Sequence, residues 1–191
     1  MGEFMKRRDL ITLGLASLTF SAMSRRTDAH TPRPAKNPVV INYHLGKYGW
    51  SSFRLKVGTQ TTDIGTFSYT TNALDDLIDL ATKLVTSTEQ AQISFDGEPF
   101  EWRMIVDQGA PPERRLRVLT FNDILHHQPD AAGNLDFEAQ INPHDFARAV
   151  QKAAHRIWSR YGEKGYRKAW IGDRGFPTTA LQALDAALLS A

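Results

Sequence analysis

The pattern of hydrophobic positions changes its period within residues 135–162. In the first part every second residue is apolar, namely Leu135, Phe137, Ala139 and Ile141. This alternation is typical of a strand with one buried face. Asn142 and Pro143 then suit the N-cap and first position of a helix, and apolar residues recur every three or four positions until Gly162. The pattern predicts a strand that leads directly into a helix folded back on an antiparallel sheet.

The same two periods predict the other elements, in the order β-β-β-α-β-β-β-β-α-α. Because the connections between strands have hairpin length, we expect antiparallel pairing. The predicted fold is therefore α+β, with one antiparallel sheet of about six or seven strands and the helices packed on one face. Gly65 within the third strand predicts a bulge or a close backbone contact. Trp158 is expected to pack on the sheet near Phe137, and residues 163–177 are expected to return irregularly.

The first 37 residues have a different character from the rest of the chain. Residues 1–4 precede a second methionine and are typical of a tag remnant. From there a basic segment with Arg7 and Arg8 is followed by an apolar run too short to span a bilayer, then by a polar linker. The segment resembles a twin-arginine export leader, which implies a periplasmic or secreted protein that meets the membrane only during export. If translation instead starts at Met23, the protein is cytoplasmic. A third interpretation is an amphipathic helix that packs on the domain. Residues 38–191 form a single α+β domain in every case.

The leader and the domain differ in net charge. Residues 1–34 contain six basic and three acidic residues, whereas residues 35–191 contain 17 basic and 18 acidic ones. A nearly neutral domain gives no reason to expect nucleic-acid binding. The chain has no cysteine, which excludes disulfides, thiolate metal sites and a cysteine nucleophile.

Few residues are candidates for catalysis or metal binding. The motifs of serine hydrolases, phosphate-binding loops and zinc proteases are absent from the sequence. His126 and His127, near Asp123 and Asp130, match no common ligand spacing, so we expect neither a metal nor a cofactor. Glu98 and Glu101 could form a catalytic carboxylate pair, but next to Arg103 a surface ion pair is the better interpretation.

Three acidic residues, Asp75, Asp76 and Asp79, lie in the first turns of the predicted first helix. The helix dipole accounts for the two nearest its start. Together with Glu98 and Glu101, expected on the neighbouring turn, the three could form a surface for a basic protein partner.

The runs FDGEPFEWRMIV, RLRVLTFND, FEAQINPHDFARAVQKAAHRI and YGEKGYRKAW resemble a group of small uncharacterised bacterial proteins. In size, element order and lack of a catalytic motif, the domain is also similar to immunity proteins of polymorphic toxins. This resemblance implies a non-catalytic protein-binding domain that neutralises a toxin by occlusion. The alternatives are an exported enzyme or solute-binding protein with a site built from scattered residues, and a structural subunit of an envelope complex.

Overall fold

The structure, a computed structural model, describes residues 37–123, 128–171 and 174–190. Its strands are β1 (Val39–Leu45), β2 (Trp50–Val57), β3 (Gln60–Ser68), β4 (Ala91–Asp96), β5 (Glu101–Val106), β6 (Arg114–Phe121) and β7 (Asn134–Ile141). Its helices are α1 (Ala73–Thr86), α2 (Pro143–Trp170) and α3 (Thr178–Ser190), with a short 3-10 helix at Asp130–Ala132 before β7.

The fold is α+β and its strand pairing is antiparallel, but the prediction of a single sheet is wrong. The strands form two sheets, one of order β1-β2-β3 and one of order β4-β5-β6-β7. The sheets meet through side chains: Phe95 of β4 packs against Phe53 and Phe67 of the first sheet, with ring centroids 5.3 and 5.1 Å apart. Both sheets and all three helices contribute to the same hydrophobic core.

Gly65 has both of the features predicted for it, a bulge and a close backbone contact. The pairing of β2 with β3 shifts register between Ser51 and Phe53, opposite this glycine. A Cβ atom at Gly65 would lie 2.8 Å from Cζ2 of Trp102 on β5. The absence of a side chain therefore lets the indole pack directly on the backbone of the first sheet.

The junction between β7 and α2 has the predicted N-cap. The side-chain oxygen of Asn142 accepts hydrogen bonds from the backbone N–H groups of His144 (2.9 Å) and Asp145 (3.2 Å). Leu135 differs from the expectation, since its side chain is 57% exposed. A register shift between Val118 and Leu119 changes the alternation of β7, so that Leu135 pairs with Leu119 on the outer face of the sheet.

The α2 helix does not end at Gly162, as the sequence suggested. Gly162 has non-helical angles (φ 55°, ψ −173°), and helical structure resumes beyond it as far as Trp170. The prediction of an irregular return is therefore wrong for these residues. The second segment is supported by an ion pair from Glu163 to Arg167 at 2.5 Å, four residues along the helix. It also buries Tyr166 in the core.

The first segment of α2 covers the edge strand β1. Arg156 Nη2 donates a hydrogen bond to the carbonyl oxygen of Ile41 (2.6 Å), and the Tyr161 hydroxyl donates to that of Leu45 (3.2 Å). These contacts satisfy carbonyl groups that an open edge would expose to other chains. Trp158 is not on this side: its side chain is 40% exposed and its ring packs on Phe176 at 4.9 Å, so the expected contact with Phe137 is wrong.

Candidate functional site

The three acidic residues of α1 form one surface. Asp76 and Asp79 line a shallow depression together with Lys83 on α1 and with Gln92 and Ile93 on β4. Within the part of the chain that the structure describes, none of the three carboxylates forms an ion pair. We call Asp75, Asp76 and Asp79 the α1 acidic surface.

The environment of this surface disfavours the ionised carboxylates. Burial raises the pKa of Asp75, and the negative charge of Asp79 raises it further. Burial also raises the pKa of Asp76, followed by the charges of Asp75 and Asp79. Arg174 acts in the opposite direction on both groups without outweighing these effects. A positive charge brought by a partner would therefore stabilise the ionised forms.

Glu98 is exposed on the turn between β4 and β5. The hydroxyl of Thr70, just before α1, donates a hydrogen bond to Asp96 Oδ2 at the end of β4 (2.8 Å). This bond fixes the start of the helix beside the strand that leads into the Glu98 turn. Glu98 therefore follows a strand end that is hydrogen-bonded to the residues before α1.

Glu101 does not lie on an exposed surface. Its side chain is 0% exposed and that of Arg103 is 4% exposed. Arg103 Nε donates to Glu101 Oε1 at 2.9 Å, and the Ser94 hydroxyl donates to the same oxygen at 2.6 Å. The expectation of an exposed pair is wrong because the outer face of β5 is covered by the segment before β7.

That segment is attached through Arg103. Its Nη1 donates to the carbonyl oxygen of Gln128 and to Asp130 Oδ1, each at 2.8 Å, and its guanidinium lies 4.3 Å from the ring centroid of Phe121. Burial lowers the pKa of Arg103, but the hydrogen bonds that Arg103 donates to the carboxylates of Glu101 and Asp130, together with their negative charges, outweigh it, so the pKa is raised overall. The pair is a closed structural contact, and Glu98 and Glu101 do not share an open site.

The candidate metal ligands near residues 123–130 are only partly among the described residues. His126 and His127 lie outside the described residues, and so do Arg7 and Arg8. Asp123 accepts a hydrogen bond from Gln128 Nε2 at 2.7 Å. Among the described residues there is no group of three or more side chains that could hold a metal ion.

A basic surface on α2 was missed by the sequence analysis. Six basic residues follow one another at intervals of four along the helix: Arg148, Lys152, Arg156, Arg160, Lys164 and Lys168. All six are exposed, and Arg160 lines two neighbouring depressions. The four-residue interval is visible in the sequence and is the signal that could have revealed this surface.

The chain matches no family model, no curated protein and no solved structure with which it was compared. Within the described ranges, no helix combines the length and the apolar character needed to cross a bilayer.

Proposed function

We propose that the domain is a non-catalytic protein-binding domain, and that the α1 acidic surface binds a basic partner. The observation that carries the proposal is that Asp75, Asp76 and Asp79 lie together near the start of α1 without an ion-pair partner in the described part of the chain, in surroundings that raise the pKa of Asp75 and Asp76. Keeping Asp75 and Asp76 ionised in these surroundings lowers the free energy of unfolding of the free domain. A partner that places cationic side chains against these carboxylates would remove this destabilisation. Its removal would contribute to the free energy of binding.

Within this class, an immunity protein that neutralises a bacterial toxin by occlusion is the function we favour. The buried Glu101–Arg103 pair is structural, whereas Asp75, Asp76 and Asp79 on α1 are partly or fully accessible and have no ion-pair partner among the described residues. Occlusion needs a stable scaffold with a charged face and no reacting group. If the protein is exported, its partner must act in the cell envelope.

The partner can be captured on the full chain, identified by mass spectrometry and titrated by calorimetry at two salt concentrations. Asp75→Lys combined with Asp76→Lys should weaken binding and reduce its salt dependence, because attraction becomes repulsion. Asp79→Lys alone provides a milder change at an exposed position. Glu113→Lys is the matched control, because this exposed loop contacts the chain beyond the last residue of α1 (Gly109 N–H donates to the carbonyl oxygen of Thr88), at the opposite end of the helix from Asp75 and Asp76.

Proton linkage provides a second measurement. Because the pKa values of Asp75 and Asp76 are raised in the free domain, a cationic partner should release protons on binding, and affinity should fall as the pH drops through those values. Equal affinities for the wild type and the α1 variants would refute the acidic surface. Co-expression that fails to relieve growth inhibition by the captured partner would refute the immunity function.

Export is a separate proposal, based on Arg7, Arg8 and the apolar run that follows. Replacing both arginines with lysine should leave the precursor in the cytoplasm, and the exported form should begin at Arg25. Unimpaired export of the double variant, or a native protein that begins at Met23, would contradict the proposal.

A further inference from the structure

A cavity lies between the turn that joins β1 to β2 and the second half of α2. Its volume is about 620 Å³, which falls in the range of roughly 300–1,000 Å³ typical of small-molecule sites. Its polar and aromatic lining consists of His44, Lys47, Tyr48, Arg160, Tyr161 and Lys168. We call this the α2 cavity.

The lining carries positive charge without compensation. No acidic residue contributes to the α2 cavity. Within residues 37–123, 128–171 and 174–190, no carboxylate forms an ion pair with Lys47, Arg160 or Lys168. The α-helix dipole explains Lys168, which lies in the last turn of α2, but not the other two cations. Arg160 is oriented by the ring of Tyr161, whose centroid lies 5.4 Å from the guanidinium carbon.

Tyr48 places an aromatic ring at the rim of the α2 cavity. Its side chain is 76% exposed, and its φ angle of 57° lies in the left-handed region that residues with a side chain seldom adopt. The turn accounts for this angle, because Tyr48 and Gly49 are its two central residues and the N–H of Trp50 donates to the carbonyl oxygen of Lys47 (3.2 Å). The turn therefore holds an exposed aromatic ring at the rim of the cavity.

The backbone around Tyr48 is held in place on both sides. The N–H of Gly46 donates to the carbonyl oxygen of Trp50 (2.9 Å), and the N–H of Gly49 donates to that of Ala169 in α2 (2.8 Å). A Cβ atom at Gly49 would lie 2.5 Å from Cδ1 of Tyr69, so the turn closes against its neighbours only with glycine there. The backbone that carries Tyr48 is therefore fixed relative to the backbone of α2, which reduces the ordering that a ligand must impose on binding.

We propose that the α2 cavity binds a nucleotide-class ligand, with its phosphate groups on Arg160, Lys168 and Lys47 and its ring on Tyr48. Cations that converge without a carboxylate favour a compact polyanion, and Arg binds phosphate through two parallel N–H groups. An exposed tyrosine ring suits a planar base, which stacks on it regardless of sequence. The concave shape of the cavity favours a small ligand over the flat surface of a phospholipid bilayer. The lining shares no residue with the α1 acidic surface, so this inference is independent of the proposed function.

The test is calorimetric titration of the full chain with three probes: ATP, inorganic pyrophosphate and adenosine. ATP should bind most tightly, because it alone offers both phosphate groups and a ring. Arg160→Gln should weaken both ATP and pyrophosphate by roughly tenfold or more, since a charge-assisted hydrogen bond is lost. Tyr48→Ala should weaken ATP by roughly fivefold or more and leave pyrophosphate unchanged, since only stacking is lost.

Lys56→Gln is the matched control, because Lys56 is an exposed cation on β2 that does not line the cavity. Lys168→Gln repeats the charge removal on α2 and should behave like Arg160→Gln. Circular dichroism verifies that each variant is folded. Absence of ATP binding at millimolar concentration would overturn the proposal, and so would equal losses in the Lys56 and Arg160 variants. Binding to vesicles of anionic phospholipid without saturable ATP binding would also overturn it.

Discussion

Breaking the buried ion pair between Glu101 and Arg103 should remove a large share of the stability of the domain. Both side chains are almost completely shielded from water, and two hydrogen bonds join them, at 2.9 and 3.3 Å. Arg103→Met would leave the carboxylate of Glu101 buried without its guanidinium. A change of this type typically costs roughly 3–5 kcal/mol, out of a total free energy of unfolding of about 5–15 kcal/mol for a domain.

The contacts of Arg103 with the segment before β7 add to this loss. Its Nη1 holds both Gln128 and Asp130, so the substitution also detaches the segment that covers β5. For a domain of this size, the expected loss corresponds to a fall in melting temperature of roughly 6–20 °C.

The experiment is urea unfolding followed by circular dichroism, with Arg54→Gln as the matched control. Arg54 also makes two hydrogen bonds to a carboxylate, that of Asp63 at 2.7 and 3.0 Å, but the two side chains are 59% and 60% exposed. Solvent screens such a pair, so its loss should change the midpoint little.

A double variant distinguishes the contribution of the ion pair from the cost of burying the Glu101 carboxylate without the guanidinium of Arg103. Glu101→Leu with Arg103→Met removes both buried charges together and should be more stable than Arg103→Met alone. The reasoning is refuted if Arg103→Met lowers the midpoint no more than Arg54→Gln does, or if the double variant is no more stable than the single one.

Three further changes test other parts of the structure. Asp76→Asn should raise the free energy of unfolding at pH 7, and the gain should disappear as the pH falls through the raised pKa of Asp76, because protonation removes the same charge; a urea series over pH measures it. Gly65→Ala should cost roughly 1–3 kcal/mol in urea unfolding, because its methyl group would overlap the indole of Trp102. Trp158→Ala should lower the melting temperature far less than replacement of a fully buried aromatic residue, because Trp158 is partly exposed on Phe176; an equal fall would contradict this placement.

Local features of the fold could be predicted because they depend on neighbouring residues. The N-cap at Asn142 and the bulge at Gly65 follow from the chemistry of single side chains and their spacing. The alternation of β7 correctly placed Phe137 and Ile141 in the core. The burial predicted for Leu135 is wrong because a bulge reverses the alternation before Phe137. A period-two pattern does not show where the pairing register shifts.

The division into two sheets could not be predicted in this way. Hairpins determine that neighbouring strands pair, but β3 and β4 are separated by α1, so their relation depends on tertiary packing. The cluster of Phe53, Phe67 and Phe95 joins the sheets through rings instead of backbone hydrogen bonds. Apolar periodicity predicts that these rings are buried without identifying their partners.

The burial of Glu101 shows a related limit for the candidate site. Its position on β5 correctly predicts a side chain opposite the main core, yet that outer face has an apolar patch of its own, formed by Ile105, Leu119 and Phe121. The segment that leads to β7 covers the patch and contacts it at Gly133, where an added Cβ atom would lie 2.6 Å from the Phe121 ring. Alternation along one strand reports which face a residue occupies, whereas burial depends on what covers that face.

Net charge is a poor guide to the partners of this domain, because its charges are unevenly distributed. Residues 35–191 contain 17 basic and 18 acidic residues, which nearly cancel in a sum. In the structure, the α1 acidic surface has no ion-pair partner among the described residues, and the α2 cavity likewise has cations without carboxylates. A ligand responds to the charges within about one Debye length, roughly 8 Å under physiological conditions, and not to the total. A domain with almost no net charge can therefore bind a basic partner on one face and an anionic ligand on another.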